Sequence, residues 1–515
     1  MHRLRSAALA LSACLLAALA PAAADNVPTA SSQPFWVEQL AEGLNAPWSM
    51  AWLPGGDMLI VEKFGGLRRF HNGKLEPKAI SGTPKAYQAS VNGLLDVALD
   101  PDFKSNHRVF LSFTEGDATS AHGAVFRARL EADALVDGKV IFRTRPDGKV
   151  APFAIAGRLL FLPDKTFLLA SSDDEVRRHL DQSLDNDLAK ILRLDRDGKP
   201  PADNPFIGKP GALPEIYALG VRSAEGLTRD PRDGRVWENE HGPKGGDELN
   251  IIKRGANYGW PVATYGTEYN GDQITEVREA PGLESPITFW TPAIAPSGLA
   301  INLGERYPRW RGDLFLGALA GQHLRRLRLV GDKVVEQEAL LKDLKERIRD
   351  VRLGPDGYLY LLTDNTDGRL FRLMPGRPTG QQAALVAKPM DKGAPSIFVG
   401  LAKPAPPDLA RGKTLFDQRC SGCHSVDPAA GALPGPNLAG LFSRKAGTLP
   451  GYAYSPGMKA AATPWQPMAL DYFLAGPEGF VPGTTMSAPP VVDPQARADL
   501  IGFLKSATTL KPASH

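Results

Sequence analysis

Between residues 35 and 374 the chain returns again and again to one pattern of apolar and polar positions. A short apolar or alternating run meets a charged glycine turn, and a second run follows. Six such units can be drawn, from Asp57 to Phe70, Arg108 to Leu130, Lys165 to Leu194, Arg235 to Ile252, Asp313 to Leu329 and Gly357 to Leu373. Several close on a basic-then-apolar strand, as in Leu192-Arg-Leu194, Leu324-Arg-Arg-Leu327 and Leu370-Phe-Arg-Leu373. Pro54-Gly-Gly-Asp57 and Pro355-Asp-Gly357 mark the turns,. No single unit can bury its own faces, but neighbours stacked in a ring can cover one another. Six units therefore predict an all-β, six-bladed propeller. An array of β-sandwiches is the alternative on pattern alone.

The pattern then changes twice. From Pro375 to Pro407 there are seven prolines and no clear period, which reads as an extended, semi-stiff connector, with Ile397-Phe-Val399 as a short apolar stretch inside it,. Helical spacing follows. Asp408 to Arg419 places Leu409, Leu415 and Phe416 on one side, and Asp493 can cap a final helix, Pro494 to Ser506, with Leu500, Ile501 and Leu504 at helical intervals,. At the other end of the chain, His2, Arg3 and Arg5 precede an apolar run, Ala7 to Ala20, and a small-residue site, Ala22-Ala-Ala24. That is the layout of a secretory signal peptide. A second reading takes Leu11-Ser-Ala-Cys14 as a lipobox with a lipidated Cys14. The expected organisation is a signal peptide at 1–24, a propeller at 25–374, a linker at 375–407 and a small all-α domain at 408–515. The location implied is periplasmic or secreted, with no membrane span in the mature chain.

Composition alters this picture in two ways. At 515 residues the chain exceeds one hydrophobic core, and its 52 Gly and 45 Pro suit many turns and short strands,. A net charge of only +3 offers nothing to a nucleic acid,. The cysteines are sharper. There are three, and Cys14 leaves with the signal peptide. Cys420-Ser-Gly-Cys423-His424 remains, a C-x-x-C-H site for covalent haem,. Two thiols one helical turn apart reach the two vinyl groups, and the next residue presents an imidazole to the iron. A zinc site would need a second ligand pair, and a redox dithiol would need a βαβ setting.

The residues after this motif run Gly435-Pro-Asn-Leu438, Gly440-Leu-Phe442, Arg444-Lys445, Tyr452-Ala-Tyr-Ser455 and Pro482-Gly-Thr-Thr-Met486. In that order they resemble a class I cytochrome c of the mitochondrial type, over roughly residues 408–507. The resemblance implies His424 and Met486 as axial ligands and the Pro436 carbonyl as acceptor from the His424 ring. It places Arg444, Tyr454 and Trp465 near the propionates and leaves Met458 and Met468 as packing residues. A His/Met pair closes both axial positions and suits electron transfer.

The propeller carries a second resemblance. Asn92-Gly-Leu-Leu95, Asp100-Pro-Asp-Phe103, Gly157-Arg-Leu159, Asp203-Asn-Pro-Phe206, Glu240-His-Gly-Pro243, Gly246-Asp-Glu248, Asn257-Tyr-Gly-Trp-Pro261 and Arg347-Ile-Arg-Asp350 follow one another. They resemble the soluble quinoprotein glucose/sorbosone dehydrogenases, propellers that bind pyrroloquinoline quinone (PQQ) and calcium. By that likeness Arg222, Arg347 and Arg349 hold PQQ, and Gly242 and Pro243 offer carbonyls to an active-site calcium. Glu248 and Tyr258 match a second calcium site, and Asp173 is the active-site carboxylate. Guanidinium forks suit a tricarboxylate, and oxygen donors suit calcium. The chain also departs from the family. The general-base histidine position is Ala154, a cofactor-contacting glutamine is Val91, an asparagine is Ser223 and a lysine is Ala320. Asp174, Glu175, His179 and His241 are the nearby groups that bear on a replacement base.

Two functions fit. The first is an enzyme that oxidises an aldose or other alcohol at a PQQ/calcium site and passes electrons to the fused haem c, and on to a soluble cytochrome or respiratory oxidase. The second is a degenerate propeller that serves as a binding or docking module for an electron-transfer cytochrome.

Overall fold

The computed structural model describes residues 33–89, 91–117, 120–145, 157–173, 177–269, 272–378 and 406–461. From 465 to 508 it describes all but 466, 476, 478–480, 482, 483, 487, 489, 490 and 492. Residues 1–32, which include the expected signal peptide, and residues 379–405 of the connector, Ile397–Val399 among them, lie outside the described residues, as do Ala154, Asp174, Glu175, Pro482 and Gly483.

Six four-stranded antiparallel sheets follow one another along the chain. The first five span residues 47–75, 94–143, 159–219, 224–290 and 296–340; the sixth takes three strands from 348–375 and its outermost strand, Phe35–Leu44, from the start of the domain. That strand runs antiparallel to Gly368–Pro375, from Phe35 opposite Pro375 to Leu44 opposite Gly368. The Arg372–Glu38 ion pair at 2.6 Å crosses the same seam. The six inner strands are Pro47–Trp52, Leu94–Leu99, Leu159–Phe161, Ala224–Arg229, Pro296–Ile301 and Ile348–Leu353, and each touches the inner strands of the adjoining blades. The result is the six-bladed propeller that the sequence pattern predicts.

Each of the six predicted units proves to be the two middle strands of one blade. Those strands are legible because their runs are apolar over four or more consecutive residues, as in Met58–Val61, Leu314–Ala318 and Leu359–Leu362, where every residue is buried. A strand covered on both faces needs no alternation. The cores lie between blades: Leu59, Val61, Leu94 and Leu111 join the first to the second, and Trp237, Trp290, Leu314 and Leu316 the fourth to the fifth. Truncating a fully buried tryptophan such as Trp237 would cost roughly 3–5 kcal/mol,.

The helical domain is built on a crossing of Leu409–Arg419 with Pro494–Thr508, the latter two residues longer than the sequence indicated. Asp408 caps the first helix, accepting from the Ala410 and Arg411 amides. The Gln495 amide donates to the Asp493 carboxylate at 3.0 Å at the start of the second. The helices meet at Gly412. A Cβ there would strike the Asp499 carbonyl and stand 2.9 Å from Phe503 Cβ. Buried Asp499 accepts from the Asp408 amide at 2.9 Å and pairs with Arg411, fixing the crossing. Met458 packs in the core with Phe416, Trp465, Phe473 and Leu500, as a packing residue should. Among the described residues no helix is long and apolar enough to cross a membrane.

Candidate functional site

In the helical domain the Leu409–Arg419 helix runs directly into the cysteine motif. The Cys423 and His424 amides both donate to the Cys420 carbonyl, at 3.0 and 2.9 Å, so this turn carries both thiols and the imidazole to one cavity. That cavity measures about 670 Å³ and is lined also by Met486, Arg444, Tyr454, Trp465 and Leu500. The His424 Nδ1 lies 2.8 Å from the Pro436 carbonyl. With Nδ1 donating there, Nε2 keeps its lone pair for a metal. Burial holds the His424 pKa below the usual range, against the pull of the Pro436 bond, which favours the neutral ring a ligand needs. Gly435 permits the approach, since a Cβ at that position would stand 2.5 Å from His424 Cε1. Arg444 holds the same loop by donating to the Ala439 carbonyl at 2.7 Å and to that of Asn437. A large, mostly apolar cavity with two thiols, a free-Nε2 imidazole and a thioether on its walls fits haem c.

The propeller gathers its charged residues where the inner strands begin. Arg222 precedes the inner strand of the fourth blade, and Arg347 and Arg349 flank the start of that of the sixth. The Arg349 Nη1 lies 2.9 Å from Glu225 Oε2 and its Nε 3.2 Å from Asp364 Oδ1. The Arg347 Nη2 takes the other Asp364 oxygen at 3.0 Å, and its Nη1 donates to the Leu319 carbonyl at 3.1 Å. Below them, fully buried Arg158 donates to Asp350 at 2.9 Å and lies 4.0 Å over the Trp48 ring. Burial pushes the Asp364 carboxyl up, but Arg349, Arg347 and Lys63 outweigh it and hold its pKa at about 2. Asp173 stands against Arg222, its Oδ2 3.5 Å from Nε, while its amide donates to the Arg222 carbonyl at 2.7 Å. The three arginines and Asp173 thus share one mouth of the propeller. Ser223 Oγ, buried beside Arg222, has no hydrogen-bond partner among the described residues. A cationic cradle with an unsatisfied hydroxyl in its wall fits a polycarboxylate quinone.

The calcium candidates adjoin Arg222. Its Nη1 donates to the His241 carbonyl at 3.0 Å, and the next amide, Gly242, donates to Asp247 at 2.9 Å, which fixes the loop that bears Gly242 and Pro243. Glu240, Gly242, Glu248 and Tyr258 line one small cavity with Arg222. Burial pushes Glu248 up to about 7 and Glu240 well above its usual range. Carboxyls kept neutral by burial are groups that a hard cation would ionise. The Tyr258 hydroxyl is committed elsewhere, donating to the Ile251 carbonyl at 2.6 Å. Among the described residues no group of three or more His, Cys, Asp or Glu is arranged to hold a metal. The site instead offers backbone carbonyls with the carboxyls of Glu240 and Glu248.

At the positions that depart from the family, Val91 is half-buried, Ser223 is buried and Ala320 is exposed. His179 is exposed in the turn Arg178–Leu180, and the His241 Nε2 is engaged with the Pro296 carbonyl at 2.7 Å. Sequence reasoning missed Lys63, Glu225 and Asp364, which surround the arginines. Two of them do carry a signal: a charge at the end of a run of four apolar residues and one polar one, Lys63 after Met58–Glu62 and Asp364 after Leu359–Thr363.

Known proteins match the two parts separately. The Glucose / Sorbosone dehydrogenase family matches residues 44–372, and the Cytochrome c family matches residues 409–508. The aldose sugar dehydrogenase YliI of Escherichia coli is 40% identical over 345 residues, 66% of this chain and 92% of that protein. Cytochrome c of Sesamum indicum is 47% identical over 105 residues, 20% of this chain and 95% of that protein. The PQQ-bound form of the aldose sugar dehydrogenase from Streptomyces coelicolor superposes with a TM-score of 0.56 at 29% identity, over 67% of this chain and all of that one. Matched across most of its length and folded as a six-bladed propeller, the chain belongs to the glucose/sorbosone dehydrogenase family and carries a cytochrome c domain behind it.

Proposed function

We propose that this protein is an exported quinohaemoprotein oxidoreductase. It oxidises an aldose or other alcohol at a PQQ–calcium site on the propeller and passes the electrons to haem c in the fused domain, from which a soluble cytochrome or respiratory oxidase takes them. The observation that carries this reading is the gathering of Arg222, Arg347 and Arg349 at one mouth of the propeller, Arg347 and Arg349 joined through Asp364 and Arg222 set against Asp173. The likeness to sugar dehydrogenases, one of them described as PQQ-bound, supports it.

The three arginines would hold the cofactor's carboxylates by paired N–H bonds. The Gly242 and Pro243 carbonyls would hold calcium beside it, with Glu248 and Tyr258 at a second site. When bound, the quinone supplies a two-electron acceptor whose oxygens the cation polarises. The chain's own part is to fix the geometry: Asp364 would orient Arg347 and Arg349, and Asp173, held against Arg222, would be the active-site carboxylate. In the helical domain Cys420 and Cys423 would fasten the haem, His424 and Met486 would fill both axial positions, and Arg444, Tyr454 and Trp465 would face its propionates. With no open coordination site the haem carries electrons. Fusion replaces a bimolecular encounter by a high local concentration.

The test uses haem-loaded protein with PQQ and calcium, and haem absorbance is followed while aldoses and simple alcohols are offered. Haem reduction that needs both quinone and substrate, at a rate independent of protein concentration, is the expected result. No reduction, with no quinone bound, would sink the enzyme reading and leave a docking module for the cytochrome.

A further inference from the structure

Lys63 approaches the same mouth from the first blade. It follows the Met58–Glu62 strand and is only 3% exposed. Its carbonyl accepts from the Leu94 amide at 3.2 Å, and its stem lies so close to Gly93 that a Cβ there would stand 2.5 Å from Lys63 Cγ. Its Nζ lies 4.8 Å over the Phe64 ring. The charged groups it faces are Asp364, Arg349 and Arg347 from the sixth blade and Glu225 from the fourth. Burial pushes the Lys63 pKa down to about 8, with Asp364 opposing.

Charge counting explains why an ammonium is kept in so unfavourable a place. Arg158 and Arg352 answer Asp96 and Asp350, while Lys63, Arg347 and Arg349 face Asp364 and Glu225. Among these described residues the mouth holds one more cation than carboxylate. A buried surplus of positive charge disfavours the empty site and favours an entering polyanion.

Resting on the function proposed above, we infer that Lys63 is a further anchor for the anionic quinone, an ammonium that binds a cofactor carboxylate alongside Arg347 and Arg349. The test is a titration of quinone-free protein with PQQ, read by quenching of intrinsic fluorescence, from pH 6.5 to 9.5. Lys63→Met should bind about tenfold or more weakly at neutral pH, the loss of one charge-assisted contact. Wild-type affinity should fall as pH rises through about 8 and the ammonium is lost. Lys63→Arg, always charged, should bind as wild type at pH 7 and hold that affinity to pH 9.5. That variant separates Lys63 from Asp364, Glu225, Arg347, Arg349 and Glu248, all unchanged in it. Unaltered affinity in Lys63→Met, where wild type binds, overturns this inference and leaves the enzyme reading standing. Wild-type protein that binds no PQQ overturns both. Should Lys63→Met fail to fold by circular dichroism, the pH profiles of wild type and Lys63→Arg decide, and identical profiles overturn the inference.

Discussion

Arg349 shows how much a single side chain carries here. It is buried, and its two ends hold carboxylates from different blades, Glu225 at 2.9 Å and Asp364 at 3.2 Å. Arg349→Met would leave both acids without it in a dry interior, at a cost of roughly 3–5 kcal/mol. Thermal unfolding of the propeller should show this as a clear drop in Tm, and PQQ binding should be lost with it; an unchanged Tm would mean the bridge is energetically idle. In the helical domain Cys420→Ala plus Cys423→Ala should abolish covalent haem, seen as loss of haem stain on a denaturing gel, and persistence of the stain would refute the attachment site. The residue scale is also where the sequence was unevenly legible. Cys420, Cys423 and His424 stood out because covalent haem attachment demands these residues at fixed spacing, whereas Met486 came only with the cytochrome resemblance,. Glu225 and Asp364 did not, because they stand 139 positions apart in blades that only the curvature of the ring brings to one bridging arginine.

At the scale of elements, the blades were read by their middle strands. Inner strands escaped notice because they carry charge and glycine at buried positions, as in Ala224-Glu-Gly-Leu-Thr-Arg229. Outer strands can be as short as Lys74–Leu75. The third blade holds an element-scale pH response. Burial first, then repulsion from Glu215, pushes Asp187 up to about 7. Between about pH 4 and 7 the folded chain therefore holds a proton that the unfolded chain has released, so this group makes stability fall as pH rises through that window. Asp187→Asn should flatten that part of the curve in urea unfolding at several pH values, and a slope equal to wild type would count against it. The helix crossing gives a steric counterpart. Gly412→Val must separate the helices or displace the Asp499 carbonyl, costing about 1–3 kcal/mol,. The haem-domain unfolding midpoint should shift to lower denaturant, and an unmoved midpoint would show that the crossing tolerates bulk.

The whole molecule depends on the strand Phe35–Leu44, which completes the sixth blade. Removing residues 35–44 should expose the Gly368–Pro375 edge and break the ring rather than trim it, because every blade relies on two neighbours. Protease resistance of the propeller should collapse while the haem domain keeps its spectrum. A truncated ring that stayed resistant would show that five blades and a fragment suffice.

That seam also sets the order of events at the ribosome. Glu38 waits for Arg372, 334 residues later. At ordinary translation speeds that interval is on the order of 20 to 70 s, during which the ring stands open with an unpaired edge at its start. The mouth that gathers Arg222, Arg347 and Arg349 does not exist until the seam shuts. Maturation of the mouth is therefore a late event in the making of the propeller, gated by the last strand of the sixth blade.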